Sequence, residues 1–321
     1  MSNYLCKKCG YLYSELDGDS KNGVSKGTTL EKLEGTMCSM CWMKNPKRYN
    51  KFDQPYCDME AQYYLYICGK FNFSFYEKKL IEKYSKESMI LEVGCGTGRC
   101  TQEFIKAGYT VHALEESEEM LEVVSKQKWA KNDTFQLLHK DYFNYGDNNG
   151  YDLIYFGDTT FQELVQQRSL KYVLEKADNF LRPGGEVWLE LMIPSEINWE
   201  FKRRKLINPQ KTLYFFNSGE VNLFSQIIYY TSTFEIYLNG KFQESYRQER
   251  ELALLFARDI KHAFKEVFDV IEEVELPKID EVIIDEYSDN QKKVWVDGGY
   301  PLPRTNKKQR SLFLRLRKRE Y

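Results

Sequence analysis

Two sets of residues in this chain have types and spacings that do chemistry. One is the run Gly94-Cys95-Gly96-Thr97-Gly98, and the other is a pair of Cys-x-x-Cys motifs, Cys6/Cys9 and Cys38/Cys41. Glycines at alternate positions let a backbone approach a ligand closely, and a helix starting behind them turns free amide N–H groups toward an anion. Spacing decides which ligand. A dinucleotide fingerprint needs its third glycine where Arg99 stands, and a Walker loop needs Gly-Lys-Ser/Thr; neither is present. The loop suits a ligand that carries no pyrophosphate. The four paired cysteines supply thiolates at the spacing of a tetrahedral site for zinc or a single iron. The other four of the eight cysteines, Cys57, Cys68, Cys95 and Cys100, are scattered and read as packing residues or free thiols.

The elements that must position these residues follow from hydrophobic periodicity. An apolar run over 89–93 leads into the glycines as a strand, and a helical pattern covers 99–107. Thr110–Leu114, Phe135–His139 and Tyr151–Phe156 read as strands. Ser117 is a natural N-cap, with Glu118 and Glu119 in the first turn of a helix over 117–128. Two helical stretches fill 161–181, and the turn Arg182-Pro183-Gly184-Gly185 precedes a strand over 186–191. Such alternation implies βαβ crossovers around a mostly parallel sheet. After Pro194 the rhythm changes. Gln226–Leu238 and Lys241–Tyr246 are extended runs joined by Asn239-Gly240, the signature of a hairpin, so 193–247 is predicted to be an antiparallel insertion. A helix is expected over 249–267, then strands at 270–275 and 312–316. Upstream, 56–86 reads as one or two helices. Residues 1–50 hold too few aliphatic side chains for a core of their own and need a staple. The predicted organisation is thus a metal-binding module at 1–50, a helical linker at 51–86 and an α/β domain at 87–321.

Bulk properties narrow the function classes. Lysines and arginines number 46 against 48 acids, for a net charge of -2, and the pI is near 6.1. That balance disfavours nucleic acid as a partner. No run approaches the roughly 20 apolar residues of a membrane span, and the N-terminus has no signal-peptide pattern. A cytoplasmic location without membrane attachment is expected.

The segment LEVGCGTG resembles motif I of class I S-adenosylmethionine (SAM) dependent methyltransferases, and VHALEESEEML resembles the segment that follows it in that family. YDLIYFGD resembles the family's fourth-strand motif, and LRPGG the turn before its fifth strand. The resemblance implies a Rossmann-like sheet of seven strands. It places SAM contacts at Glu92, Gly94, Gly96, Thr97, Gly98, Glu115, Asp141, Tyr142 and Phe156. Of these, Glu115 would receive the ribose hydroxyls, Glu92 would lie near the methionine ammonium, and Asp141 and Tyr142 would meet the adenine. Asp158 and Glu190 fall where such families meet substrate, and suit a helix cap or a solvated carboxylate somewhat better.

Residues 4–41 resemble rubredoxin. YLCKKCGYLY is similar to its first knuckle and GDSKNGVSKGT to its long loop, which implies one iron on Cys6, Cys9, Cys38 and Cys41. The second knuckle departs from that pattern: Cys38-Ser39-Met40-Cys41-Trp42 puts tryptophan where the family has a glycine, at a backbone cost on the order of 1 kcal/mol.

A sulfonium already activates its methyl group, so the protein mainly orients a nucleophile and excludes water. No catalytic residue is therefore identifiable. His112, His139 and His262 read as structural. Trp188, Trp199 and the tyrosines between 229 and 246 fit packing as well as a pocket. The resulting expectation is a methyltransferase acting on an amine or hydroxyl of a small molecule, with 193–247 covering the acceptor and a possible redox partner for the metal module. Two other readings remain open: an RNA methyltransferase with a metal module, and a redox-sensing SAM-binding protein.

Overall fold

A computed structural model describes residues 3–6, 12–15, 18–20, 23–29, 32, 49–51, 59–68, 83–146, 150–194, 196–276 and 309–319. The chain divides into two compact units. One comprises Met1–Ile67, Glu200–Ser218 and Tyr230–Arg250; the other comprises Cys68–Trp199, Gly219–Tyr229 and Glu251–Tyr321.

In the first unit, β1 (Asn3–Cys6) pairs antiparallel with both β2 (Leu12–Ser14) and β3 (Tyr49–Lys51). The loop after β2 is fastened by its own backbone. Asp19 and Val24 exchange both amide hydrogen bonds at 2.9 Å, and the buried Tyr13 donates its hydroxyl to Thr28 O at 2.7 Å. Gly18 is obligatory there, because a Cβ would come within 2.6 Å of Val24 O. Helix α1 (Met59–Cys68) meets part of the helix expected over 56–86. Its buried Glu60 pairs with Arg250, which also donates to Gln248 at 2.6 Å.

In the second unit, seven strands are ordered β13-β14-β8-β7-β4-β5-β6. They are β4 (Met89–Val93), β5 (Thr110–Glu115), β6 (Phe135–His139), β7 (Tyr151–Phe156), β8 (Leu181–Pro194), β13 (Phe268–Leu276) and β14 (Gln309–Lys318). The five from β4 to β8 run parallel, and β14 joins β8 and β13 antiparallel. This is the mostly parallel Rossmann-like sheet expected from the sequence. Alternate strand residues feed opposite faces. Leu91, Val93, Ile154, Phe156, Val187 and Leu189 join one core cluster, while Ile90, Leu153, Tyr155 and Trp188 join the other. Helices α4 (Thr160–Gln167), α5 (Leu170–Phe180) and α6 (Ala257–Phe264) cover the first face, and α2 (Arg99–Ala107) the second. Ser117 caps α3 (Glu118–Ser125) by accepting from Met120 N at 3.1 Å.

The chain leaves β4 for β5 and β6 on one side, then returns to β7 and β8 on the other. The carboxyl end of β4 is therefore a topological switch point, where ligands of open α/β sheets bind.

The antiparallel insertion is larger than its hairpin signal. Four strands, β9 (Asn198–Asn208), β10 (Lys211–Asn222), β11 (Ile227–Leu238) and β12 (Lys241–Ala253), form a sheet ordered β12-β11-β10-β9. Asn239 and Gly240 have positive φ, 51° and 75°, as a type I′ turn requires. The expected helix over 249–267 is corrected at its start. β12 continues to Ala253, and α6 begins at Ala257, where the buried stripe Ala257, Ile260, Phe264 takes a helical period.

The basic C-terminal run is consumed internally. Arg315 and Arg317 both donate to the buried Glu186, which also accepts from Tyr84 and Trp188 and pairs with Lys83; Arg315 further pairs with Glu272.

Candidate cofactor site

The switch-point loop is built by three left-handed glycines, Gly94, Gly96 and Gly98, with φ of 68°, 57° and 76°. Gly94 N and Cys95 N both donate to Leu114 O at 3.0 Å, which ties the loop to the end of β5. Gly98 is the N-cap of α2 and presents no side chain there. The three glycines differ in surroundings. A Cβ on Gly94 would lie 2.8 Å from Thr160, one on Gly98 would overlap Trp129, and one on Gly96 would meet nothing within 4 Å among the described residues. Gly96 thus borders open space.

Glu115 closes β5 and is 7% exposed. Its Oε2 accepts from Gly96 N at 2.7 Å, and its Oε1 accepts from Glu116 N and Ser117 N at 3.0 Å each. Three of about four acceptor positions are filled, so the carboxylate retains room for one hydroxyl more readily than for two. Burial pushes its carboxyl above the usual range against the pull of those amides. Glu92, 3% exposed on β4, accepts from the Thr101 hydroxyl of α2 at 2.5 Å. Burial pushes Glu92 up to about 8. Thr97 is 3% exposed, and among the described residues its hydroxyl has no partner, an orphaned polar atom inside the loop. Such a group asks for a ligand or water.

The remaining expected contacts divide. Asp141 is half-buried beyond β6 and accepts from Asn144 N at 2.9 Å; burial acts to raise its carboxyl, but hydrogen bonds from Asn144 and Phe143 win and lower it. Tyr142 and Phe156 belong to the core. The Tyr142 ring packs on Phe156 and Phe180, and its hydroxyl donates to Val173 O at 2.8 Å. Phe156 is fully buried against Phe161. The rings of both residues are therefore engaged in core packing.

Asp158 follows β7 with a positive φ of 52° and is exposed; Glu190 is half-buried on β8. Cys95 and Cys100 are buried free thiols, and burial holds both well above the ordinary thiol range, so neither is a ready nucleophile. His112 Nδ1 lies 2.7 Å from the Tyr151 hydroxyl and His139 Nε2 3.1 Å from Glu116 O, both structural contacts.

Sequence reasoning missed Thr101, Thr160 and Gln162. Thr101 carried one signal, a hydroxyl within the buried stripe Cys100, Phe104, Ile105. Gln162 is fully buried on α4. Its Oε1 accepts from Met192 N at 2.7 Å, and its Nε2 donates to Met192 O at 3.2 Å and Ala253 O at 2.9 Å.

These residues fit SAM: a loop with amide donors and an open face at Gly96, an orphaned hydroxyl, and two buried carboxyls for a cationic ligand. For the metal site, Cys6 ends β1, and Cys9, Cys38 and Cys41 lie outside the described residues. Among the described residues no group of His, Cys, Asp or Glu is arranged to hold a metal, and no helix is long and apolar enough to cross a membrane.

Residues 90–185 match the family model described as a methyltransferase domain, and residues 3–48 match the model described as rubredoxin. Among solved structures, the CcbJ methyltransferase of Streptomyces caelestis is 13% identical with a TM-score of 0.60, over 83% of this chain and 98% of that one. DesVI of Streptomyces venezuelae is 17% identical with a TM-score of 0.58, over 84% and 100%. The sugar N-methyltransferase KedS8 of Streptoalloteichus is 12% identical with a TM-score of 0.56, over 83% and 97%. At these identities the likeness establishes the fold.

Proposed function

We propose that this chain, which carries a SAM-dependent methyltransferase domain and a rubredoxin domain, methylates an amine or hydroxyl of a small molecule. The observation that carries the reading is the glycine loop at the switch point, locked to the buried Glu115 and open at Gly96. When bound, SAM supplies a methyl group already activated by its sulfonium. The chain's residues bind and orient. Gly96, Thr97 and Gly98 frame the ligand, Glu115 takes a ribose hydroxyl, Glu92 meets the ammonium, and Asp141 borders the adenine edge.

The small-molecule acceptor is supported by the net charge of -2, by the internal pairing of the basic C-terminal run, and by the fold shared with a sugar N-methyltransferase. For the metal module, the rubredoxin match supports one iron on Cys6, Cys9, Cys38 and Cys41.

The test is calorimetric titration with S-adenosylhomocysteine (SAH), followed by SAH-release assays over a panel of amino sugars and simple amines. Binding by the wild type and loss of it in Gly96→Arg, with turnover of at least one amine, is the expected result. Equal titrations for the two proteins would remove the cofactor reading, and turnover confined to RNA would remove the small-molecule one.

A further inference from the structure

The glycine loop is flanked by two carboxyls that have lost their water, Glu92 and Glu115. The groups facing Glu92 are mostly poor company for a negative charge. From α2 come the Thr101 hydroxyl at 2.5 Å, the Cys100 thiol and, acting from farther off, Arg99. From the loop comes the Cys95 thiol, from β5 the Glu115 carboxyl, and on β7 Tyr155 stands opposite Glu92 in register. Among the described residues no ion pair closes on Glu92. The Thr101 hydroxyl and backbone N–H together do not offset the desolvation of this buried carboxyl, so the neutral acid is favoured until a cation arrives. SAM and SAH both carry an ammonium, and SAM carries a sulfonium as well.

We propose that capture of the cofactor expels one proton from Glu92 to solvent, so that the affinity of this site for SAM and SAH rises with pH. The inference rests on the reading of the loop as a SAM site with Glu92 at the ligand's ammonium. With the free acid poised near 8, Glu92 is mostly protonated at neutral pH. It becomes a carboxylate only where the ligand's ammonium repays the loss of hydration.

The test is calorimetry with SAH at pH 7 in buffers of different ionisation enthalpy. The observed heat should vary with the buffer as release of most of one proton per site requires, and affinity should rise about tenfold or more between pH 6 and 8. In Glu92→Gln both effects should vanish. In difference infrared spectra the wild type should lose a protonated-carboxyl band on binding SAH, and the variant should not. Thr101→Val serves as a second variant: without its hydroxyl donor the carboxylate is harder to form, so the rise in affinity should move to higher pH.

SAH binding in the wild type with no buffer dependence overturns the proposal and leaves the cofactor reading intact. Proton release undiminished in Glu92→Gln does the same, since Glu115 or the ligand's own amine is then the source. Failure of the wild type to bind SAH at any pH overturns the cofactor reading itself.

Discussion

Gly96 and Glu115 hold one another: the amide of the open glycine donates to the carboxylate at 2.7 Å, and two further amides, of Glu116 and Ser117, secure the other oxygen. On the proposed reading, ligand receptor and loop anchor are one group. Glu115→Ala leaves three amides without their acceptor, and hydrogen bonds to charged groups contribute about 1.5–3 kcal/mol each. Calorimetry should show SAH affinity falling about 100-fold or more, and the melting temperature should fall with it. An alanine variant that kept its melting temperature while losing affinity would mean that the amides are re-satisfied by water.

The two buried carboxyls also set the pH dependence of the ligand-free fold. Both have folded-state values above their unfolded ones, Glu92 at about 8. A group raised in this way leaves stability intact below its unfolded value, and stability is lost as pH climbs toward the folded value, because the unfolded chain ionises first. The window is therefore from about 4.5 to 8. Denaturant melts of the ligand-free protein should show stability declining across it, with Glu92 accounting for on the order of 3–5 kcal/mol. Glu92→Gln should flatten most of the decline; an unchanged slope would place the charge elsewhere.

On the same reading, the glycines at 96 and 98 separate ligand space from packing space. A side chain at Gly96 enters open space and strains only a left-handed φ of 57°. Gly96→Val should thus keep the fold, at a cost of roughly 1–2 kcal/mol, and abolish SAH binding. A side chain at Gly98 overlaps Trp129. Gly98→Ala should cost about 1–3 kcal/mol through overpacking, and Trp129→Ala should relieve part of that in a double-mutant cycle. Additive effects of the two changes would show that the ring does not press on this position.

For the metal module, elemental analysis should return one metal per chain, falling toward zero in Cys38→Ser. Iron gives a visible absorption band and zinc none. A colourless protein holding stoichiometric zinc would reduce the module to a structural staple of residues that lack a core of their own.

Strands β4 to β7 and the hairpin turn at Asn239-Gly240 were legible in the sequence because each rests on local signals: apolar runs, glycines and a cap such as Ser117. β9 and β10 were not. Their stretch WEFKRRKLINPQKTLYFF mixes charges with aromatics, and only its pairing with β11 decides that it is extended. Helix periodicity read from 249 failed for the same reason, since β12 carries its ladder through to Ala253. Within the site, motif spacing located the glycines and Glu115. A motif names a position and not the direction of a side chain, and only the fold shows the Tyr142 hydroxyl on Val173 O.

Gln162 shows what no motif carries. β7 ends at Phe156 opposite Leu189, so Met192 on β8 lies beyond any strand on that side. The Gln162 amide pairs with Met192 as a peptide group would, and its second N–H reaches Ala253 O, at the end of the inserted sheet. On the same helix Thr160 stands against Gly94, so one turn of α4 touches the glycine loop and both roots of the insertion. Gln162→Leu keeps the volume and strands three buried backbone groups, for a loss of about 2–4 kcal/mol. Hydrogen exchange should quicken at 190–194 and 251–255 while SAH affinity stays within a few-fold of wild type. Gln162→Glu sharpens the test. Ionised, its carboxylate faces two carbonyl oxygens and repels them; protonated, it donates to one of them again. Protection of both roots should therefore return at low pH in the glutamate variant and not in the leucine one, and protection indifferent to pH would show that packing, not the amide, fixes the roots.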